Sequence, residues 1–176
     1  MKCSQSVLKQ SNLFKFPPFP DTDINPVAAI KWYMSSDAYK LNDKLRKSLP
    51  LDKYEKVNIL GIDKMLSQLP TYKGSIYRAL HFNDKELFSD FINKHKIGNL
   101  YQKAAYTSTA KEPYAYLEES VPYKALLKVN EKTGKDISGY GLSGEQEVLF
   151  ARNTKFKMSN AGMVSENFYF GEMDEI

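Results

Sequence analysis

Apolar and polar positions change period along the chain. Val27, Ile30, Met34, Ala38, Leu41 and Leu45 recur at steps of three and four, the spacing of one helical face. Asn25 before Pro26 supplies a side-chain cap and a first-turn proline, and Ser48-Leu49-Pro50 closes the segment, so one helix is expected over 26–48. Ile59, Ile62, Leu66 and Leu69 mark a second helix over 55–68, stopped by Pro70. The pattern then changes. Ser75 to Leu80 reads as a short strand, and Asp84 caps a helix over 85–95 that buries Leu87, Phe88, Phe91 and Ile92. Ala104 to Thr109 forms a second strand, and a short helix over 111–119 is broken by Pro113. Tyr123, Ala125, Leu127 and Val129 alternate as a strand with one wet face does. Further strands are expected over 145–151, over 155–159 after a turn at Asn153-Thr154, and over 163–172. Helices lead and strands follow, which is the signature of an α+β fold with a largely antiparallel sheet. Residues 1–25, polar and then proline-rich through Phe16-Pro17-Pro18-Phe19-Pro20, read as a tail or linker before one domain over 26–176.

Composition narrows the partners. A chain of 176 residues supports one domain with a sizeable core, and 42% hydrophobic residues is ordinary for a globular protein. The net charge of +4 steers weakly toward acidic or phosphate-bearing ligands and falls short of the dense basic stripe of a nucleic-acid binder. Cys3 is the sole cysteine, so no disulfide forms within the chain. No run of 18 apolar residues predicts a membrane span, and the first residues lack the apolar core of a signal peptide. His81 and His95 read as surface or edge histidines, with no metal-ligand spacing around them.

Chemistry concentrates in three segments. Glu145 and Glu147 flank Gln146 at the entrance to the apolar run Val148-Leu149-Phe150-Ala151. In a strand, residues two apart share a face, roughly 6.5–7 Å apart, so both carboxylates project together. Arg78 stands inside an apolar strand, and Ser108 and Thr109 form a small hydroxyl cluster on another. The loop 138–144 before the glutamates is glycine-rich and carries one aromatic, Tyr140, as a partner-touching surface does. Gly139 to Gly144 also fits G-x-G-x-x-G, but the apolar, non-helical run behind it and the missing βαβ unit speak against a dinucleotide-binding turn of that type. Ser108 and Ser143 lack a His/Asp partner for hydrolase chemistry, and glycosidase carboxylates usually lie across a cleft, not two apart on one strand.

Arginine, then serine-threonine, then Glu-x-Glu, in that order, resembles the toxin-type, arginine-specific mono-ADP-ribosyltransferases over about residues 26–173. SIYRAL is similar to the strand bearing the family arginine, AAYTSTA to the hydroxyl strand, and GEQEVLFARNTKFKM to the Glu-x-Glu segment. The resemblance implies N-terminal helices packed on a split, mainly antiparallel β-sandwich that encloses an NAD cleft. It implies NAD as co-substrate, no metal, and transfer of ADP-ribose to an arginine of a target protein. Glu147, Glu145 and Ser108 are then the catalytic residues. Arg78, Ala79, Ser108, Thr109, Asn42 and Glu147 hold the cofactor, with Tyr33 beside Asn42, and Tyr140 and Glu145 meet the target. Two positions depart from the family pattern: Ala110 replaces the third hydroxyl, and where many members place a second, phosphate-holding arginine only Lys111 and Lys124 are near, so either a lysine substitutes or the cofactor is held less tightly. The same residues also serve an NAD glycohydrolase, a non-catalytic NAD-binding module, or transfer to a nucleic acid or small molecule. The expected setting is a monomeric bacterial or phage effector, secreted or injected to act in a target cell's cytosol, with an immunity or carrier protein as a further partner and no role for nucleic acid or membrane.

Overall fold

The computed structural model of the chain describes residues 24–35, 37–113, 117, 119–141 and 146–176. The expected tail over 1–25, apart from Ile24 and Asn25, and Glu145 of the acidic pair lie outside the described residues, as do Tyr114, Ala115, Tyr116 and Glu118 of the expected helix over 111–119.

The expected helix over 26–48 is two helices, α1 (Pro26–Tyr33) and α2 (Asp37–Lys47). Asn25 caps α1, its side-chain oxygen accepting the Ala28 N–H at 3.0 Å. The break follows from Ser35, whose hydroxyl turns back onto the Trp32 carbonyl at 2.5 Å and offers the backbone an alternative to continuing the helix. The apolar face survives the break, since Ile30, Tyr33, Leu41 and Leu45 are all fully buried. The third helix, α3 (Lys53–Gln68), begins two residues earlier than expected. Asp52 and Glu55 form a reciprocal capping box there, at 2.7 and 2.8 Å. Gly61 lets α1 and α3 meet: a Cβ added to it would lie 2.5 Å from the Ala29 Cβ.

The remaining elements are β1 (Ile76–Phe82), α4 (Lys85–Lys94), β2 (Leu100–Gln102), β3 (Thr107–Ala110), β4 (Tyr123–Asn130), β5 (Lys135–Asp136), a 3-10 turn (Ser138–Tyr140), β6 (Glu147–Phe150), β7 (Lys155–Ser165) and β8 (Phe168–Glu175). The strands run in the order β2-β7-β8-β4-β1-β3-β6-β5. All neighbours are antiparallel except β4 and β8, which are parallel. The fold is therefore α+β with a large, mainly antiparallel sheet behind a layer of N-terminal helices.

Two cores share β6. Leu149 points into the core formed by α1, α2 and α3, together with Ala105, Tyr106 and Ile137. Val148 and Phe150 point the opposite way, into a core containing Ile76, Phe88, Leu127, Phe156, Tyr169 and Met173. A strand covered on both faces reads as an unbroken apolar run, and this is why 148–150 lacks alternation. Among the described residues no helix is long and apolar enough to cross a membrane, and no group of three or more His, Cys, Asp or Glu could hold a metal ion.

His95, at the end of α4, is buried, with 5% of its surface exposed, and is not the surface histidine its isolation in sequence implies. Its Nδ1 hydrogen-bonds the Phe91 carbonyl at 2.7 Å and its ring stacks on Phe91 at 3.9 Å between centres. Burial, opposed by the Phe91 bond and reinforced by the charges of Lys103, Arg78 and Lys94, lowers its pKa from 6.5 to about 4. Below about pH 6.5 the unfolded chain binds a proton that the folded ring refuses until about pH 4. The stability carried by the neutral ring is complete above pH 6.5 and is lost as pH falls toward 4.

Two outcomes follow from this packing. Urea unfolding between pH 7 and 4 should show the native protein losing up to about 3 kcal/mol that a His95→Gln variant does not lose, and parallel slopes would contradict a buried neutral ring. Gly61→Ala should destabilise despite a helix-propensity gain of about 1 kcal/mol, because overpacking costs about 1–3 kcal/mol. A double-mutant cycle with Ala29→Gly should then show positive coupling, and additive effects would mean that the helices are not in contact at that point.

Candidate active site

The site lies where the sheet comes apart. β3 and β6 pair over four residues, Thr107 opposite Phe150 through Ala110 opposite Glu147. β1 and β3 pair at one position only, Tyr77 opposite Ala110. Tyr77, Ala110 and Glu147 therefore form a row across three strands, and beyond it β1 and β3 part. A cavity of about 300 Å³ opens in the gap, lined by Tyr77, Arg78 and Ala79 of β1, by Ser108, Thr109 and Ala110 of β3, and by Glu147 of β6.

Each side chain reaches the cavity for a local reason. Ser108 and Glu147 fall on the same face by strand alternation, and the Ser108 hydroxyl donates to a Glu147 carboxylate oxygen at 2.5 Å, the length of a charge-assisted bond. Arg78 starts from the opposite face, that of Ile76, and bridges the parting strands: its Nη1 donates to the Ser108 carbonyl at 2.7 Å. Its Nε is buried without a hydrogen-bond partner among the described residues. A buried donor left unpaired is costly, and in a cavity wall it marks a place where an acceptor can dock.

The other expected residues are placed as follows. The Thr109 hydroxyl is buried and donates to the Val148 carbonyl at 2.7 Å, fastening β3 to β6. Asn42 is buried behind the cavity, its amide nitrogen donating to the Tyr33 hydroxyl at 2.9 Å and its oxygen accepting the Tyr106 N–H at 3.2 Å. Tyr33 feels both site charges; burial first, then Glu147, hold its hydroxyl well above the usual phenol range. Tyr140 is half-buried against the helical core at the end of the 3-10 turn. Lys111 is paired with Asp136 at 2.7 Å and Lys124 donates to the Glu119 carbonyl at 2.9 Å, and neither lines this cavity.

A second cavity of about 710 Å³ lies between α4 and β2, with His95 and Tyr101 in its wall. Burial raises the Tyr101 pKa, yet the charges of Arg78, Lys103 and Arg46 together bring it below the usual phenol range. Arg78, Lys103 and Arg46 thus all act on Tyr101, and Lys103 also lines this cavity. No local pattern separates Arg46 and Lys103 from the many surface lysines and arginines; only the fold brings their charges to one tyrosine.

Comparison with known proteins agrees with this geometry. The family model described as ADP-ribosyltransferase exoenzyme matches residues 19–170. The Mycobacterium avium (strain 104) protein named as an NAD(+)–arginine ADP-ribosyltransferase, Mav, is 26% identical over 140 residues, which is 79% of this chain and 16% of that protein. Vis of Vibrio splendidus (strain 12B01), named in the same way, is 31% identical over 124 residues, 64% of this chain and 47% of that protein. The chain therefore spans less than half the length of either curated relative. The crystal structure of Vis in complex with agmatine superposes with a TM-score of 0.66 at 22% identity, covering 100% of this chain and 87% of that one, and shares its fold. Matched over most of its length by the family model, and carrying arginine, serine and glutamate around one cavity, the chain belongs to the ADP-ribosyltransferase exoenzyme family.

Proposed function

We propose that residues 26–176 form the catalytic domain of a mono-ADP-ribosyltransferase that moves ADP-ribose from NAD to an arginine of a target protein. The observation that carries this reading is the convergence of Arg78, Ser108 and Glu147 on one cavity, with a hydrogen bond already made between the serine and the glutamate. The residues present fit the dinucleotide. The unpaired Nε of Arg78 offers a donor to a phosphate oxygen, and Arg46 and Lys103 add positive charge beside it. A cavity of about 300 Å³ is at the small end for a ligand site and would suit the ribose end of the dinucleotide, with Arg78 in its wall. The names of both relatives, and agmatine bound to Vis, support a guanidinium as acceptor.

NAD supplies the ADP-ribosyl group, its bond from ribose carbon to nicotinamide breaking with the electron pair departing on nicotinamide. Glu147 binds the ribose hydroxyls and stabilises the positive charge that develops on the sugar, an interaction stronger in the transition state than in the ground state. Ser108 fixes the Glu147 carboxylate by its hydrogen bond, and Ala79 presents backbone beside Arg78 along the cavity wall. Glu145 orients the incoming guanidinium and accepts the proton that it loses as its nitrogen bonds to the ribose carbon. Tyr140 meets the target protein. Asn42 and Thr109 act one step back, Asn42 by holding Tyr33 and β3, Thr109 by holding β3 to β6. The family's description as exoenzymes supports a secreted or injected protein that acts in the cytosol of a target cell.

Two variants test the assignment. Glu147→Gln should lower NAD cleavage about 10²–10³-fold, the scale of one lost preorganised electrostatic group, in a nicotinamide-release assay. Near-native release by that variant would exclude Glu147 from the chemistry. Glu145→Gln should lose transfer to arginine while retaining hydrolysis of NAD by water, followed by mass spectrometry of modified peptides beside nicotinamide release. Parallel loss of both activities would remove Glu145 from the acceptor side.

A further inference from the structure

Most neutral polar side chains around the smaller cavity are spent within the protein. The Ser108 hydroxyl is given to Glu147 at 2.5 Å, and the Thr109 hydroxyl to the Val148 carbonyl at 2.7 Å. Tyr77 differs. It lines the cavity from β1, is half-buried, and belongs to neither core. Its hydroxyl makes no hydrogen bond among the described residues.

Register fixes the face on which that phenol stands. Residues directly opposite one another in a ladder share a face. Tyr77 is opposite Ala110, and Ala110 is opposite Glu147, so these three side chains form one row on the face that also carries Ser108. Two strand spacings separate the backbones of Tyr77 and Glu147 by about 10 Å. Ala110, between them, adds only a methyl group and leaves the space above it open. Arg78 starts from the opposite face, and Ala79, which shares the face of Tyr77, is apolar. Of the β1 residues that line the cavity, Tyr77 is therefore the one that brings a polar side chain to the face of Glu147.

We infer that Tyr77 is a further cofactor-binding residue: its hydroxyl hydrogen-bonds the nicotinamide ribose from the β1 side, across Ala110 from Glu147. This rests on the dinucleotide reading of the cavity. The reason is a matching of donors and acceptors. An ionised carboxylate only accepts, so a sugar hydroxyl bound to it still has lone pairs that need a donor from elsewhere. A phenol hydroxyl both donates and accepts, and the Tyr77 hydroxyl is uncommitted and stands on the correct face.

Carba-NAD, in which carbon replaces the ring oxygen of the nicotinamide ribose, keeps the sugar hydroxyls and resists cleavage, so its binding to the purified full chain can be measured by calorimetry without turnover. Tyr77→Phe removes the hydroxyl and leaves the ring in the wall. Its dissociation constant for carba-NAD should rise about three- to tenfold, the scale of one neutral hydrogen bond, and kcat/KM for nicotinamide release should fall by at least that factor. A thermal melt checks that the variant is folded. A second arm needs no variant: in the native chain carba-NAD should shield Tyr77 from nitration by tetranitromethane, read by peptide mass spectrometry, while Tyr39, 75% exposed on α2, reacts equally with and without it. Affinity within twofold of native in folded Tyr77→Phe, or nitration of Tyr77 unaffected by the analogue, overturns the inference. A native chain that binds no carba-NAD overturns the dinucleotide reading first, which keeps the two failures apart.

Discussion

A guanidinium stands where a ladder should be. β1 and β3 share one register pair, and past it the sheet is joined by Arg78 Nη1 on the Ser108 carbonyl. A backbone carbonyl at an opened seam needs a donor, because an unpaired buried polar group costs about 1–3 kcal/mol. Arg78 meets that need and keeps the two strands at a fixed separation, and the fixed separation is the cavity. Ser108 then works twice, as a backbone acceptor for Arg78 and as a side-chain donor to Glu147. The guanidinium of Arg78 and the carboxylate of Glu147 are thus held at a set spacing by one residue. Neither relies on a loop for its place.

The strands that carry this triad are immobilised from behind. β6 has Val148, Leu149 and Phe150 fully buried, on both of its faces. The entrance to β3 is fastened by polar groups from three helices. Asn42 of α2 holds the Tyr106 N–H and the Tyr33 hydroxyl of α1, while the Tyr106 hydroxyl donates to Asp63 of α3 at 2.6 Å. Arg152, just after β6, forms an ion pair with the same Asp63. Burial and then the Asp63 charge hold the Tyr106 hydroxyl protonated well above the usual range, so it remains a donor. A partly buried network of this kind adds little net stability, but its members fix one another's directions. Its product here is orientation: the helices determine where β3 starts, and so where Ser108 points.

Much of this was legible in the chain, and the parts that were not share a cause. Local chemistry announces itself, so the Asn25-Pro26 and Asp84 caps, the apolar run of β6 and the alternation of β4 all appear where the pattern places them. The Ser35-Ser36 pair was the visible sign of a break that the continuous apolar face concealed. Ser159 to Gly162 looks like a turn between two strands, yet it lies inside one eleven-residue strand, β7, paired with β8 through register shifts at Met158/Asn160 and Met163/Ser165. β2 and β5, three and two residues long, carry too few positions to show a period. At the site, residue type picks out Arg78, Ser108 and Glu147, which line one cavity. It could not show that the hydroxyl of Thr109 and the amide of Asn42 serve as braces, or that Arg46 and Lys103 gather near Tyr101, because those uses depend on neighbours 39 to 64 positions away or on charges acting through the fold.

The same contrast divides the site itself. Arg78, Ser108 and Glu147 sit on paired strands, β1, β3 and β6, whose positions are over-determined by ladders and core packing. Tyr140 sits on the 3-10 turn, half-buried against the helical core. Rigid elements place a reacting group more closely than loops do, and loops change more readily in sequence. The proposed cleavage of NAD, one reaction with one transition state, suits such rigid strands. The bonds from Lys111 to Asp136, Ser138 and Gln146 tie the approach to the 3-10 turn and the start of β6 to the end of β3. A lysine is suited to this work: its three donors and flexible stem serve two acceptors at once, where the fixed fork of an arginine would demand one geometry.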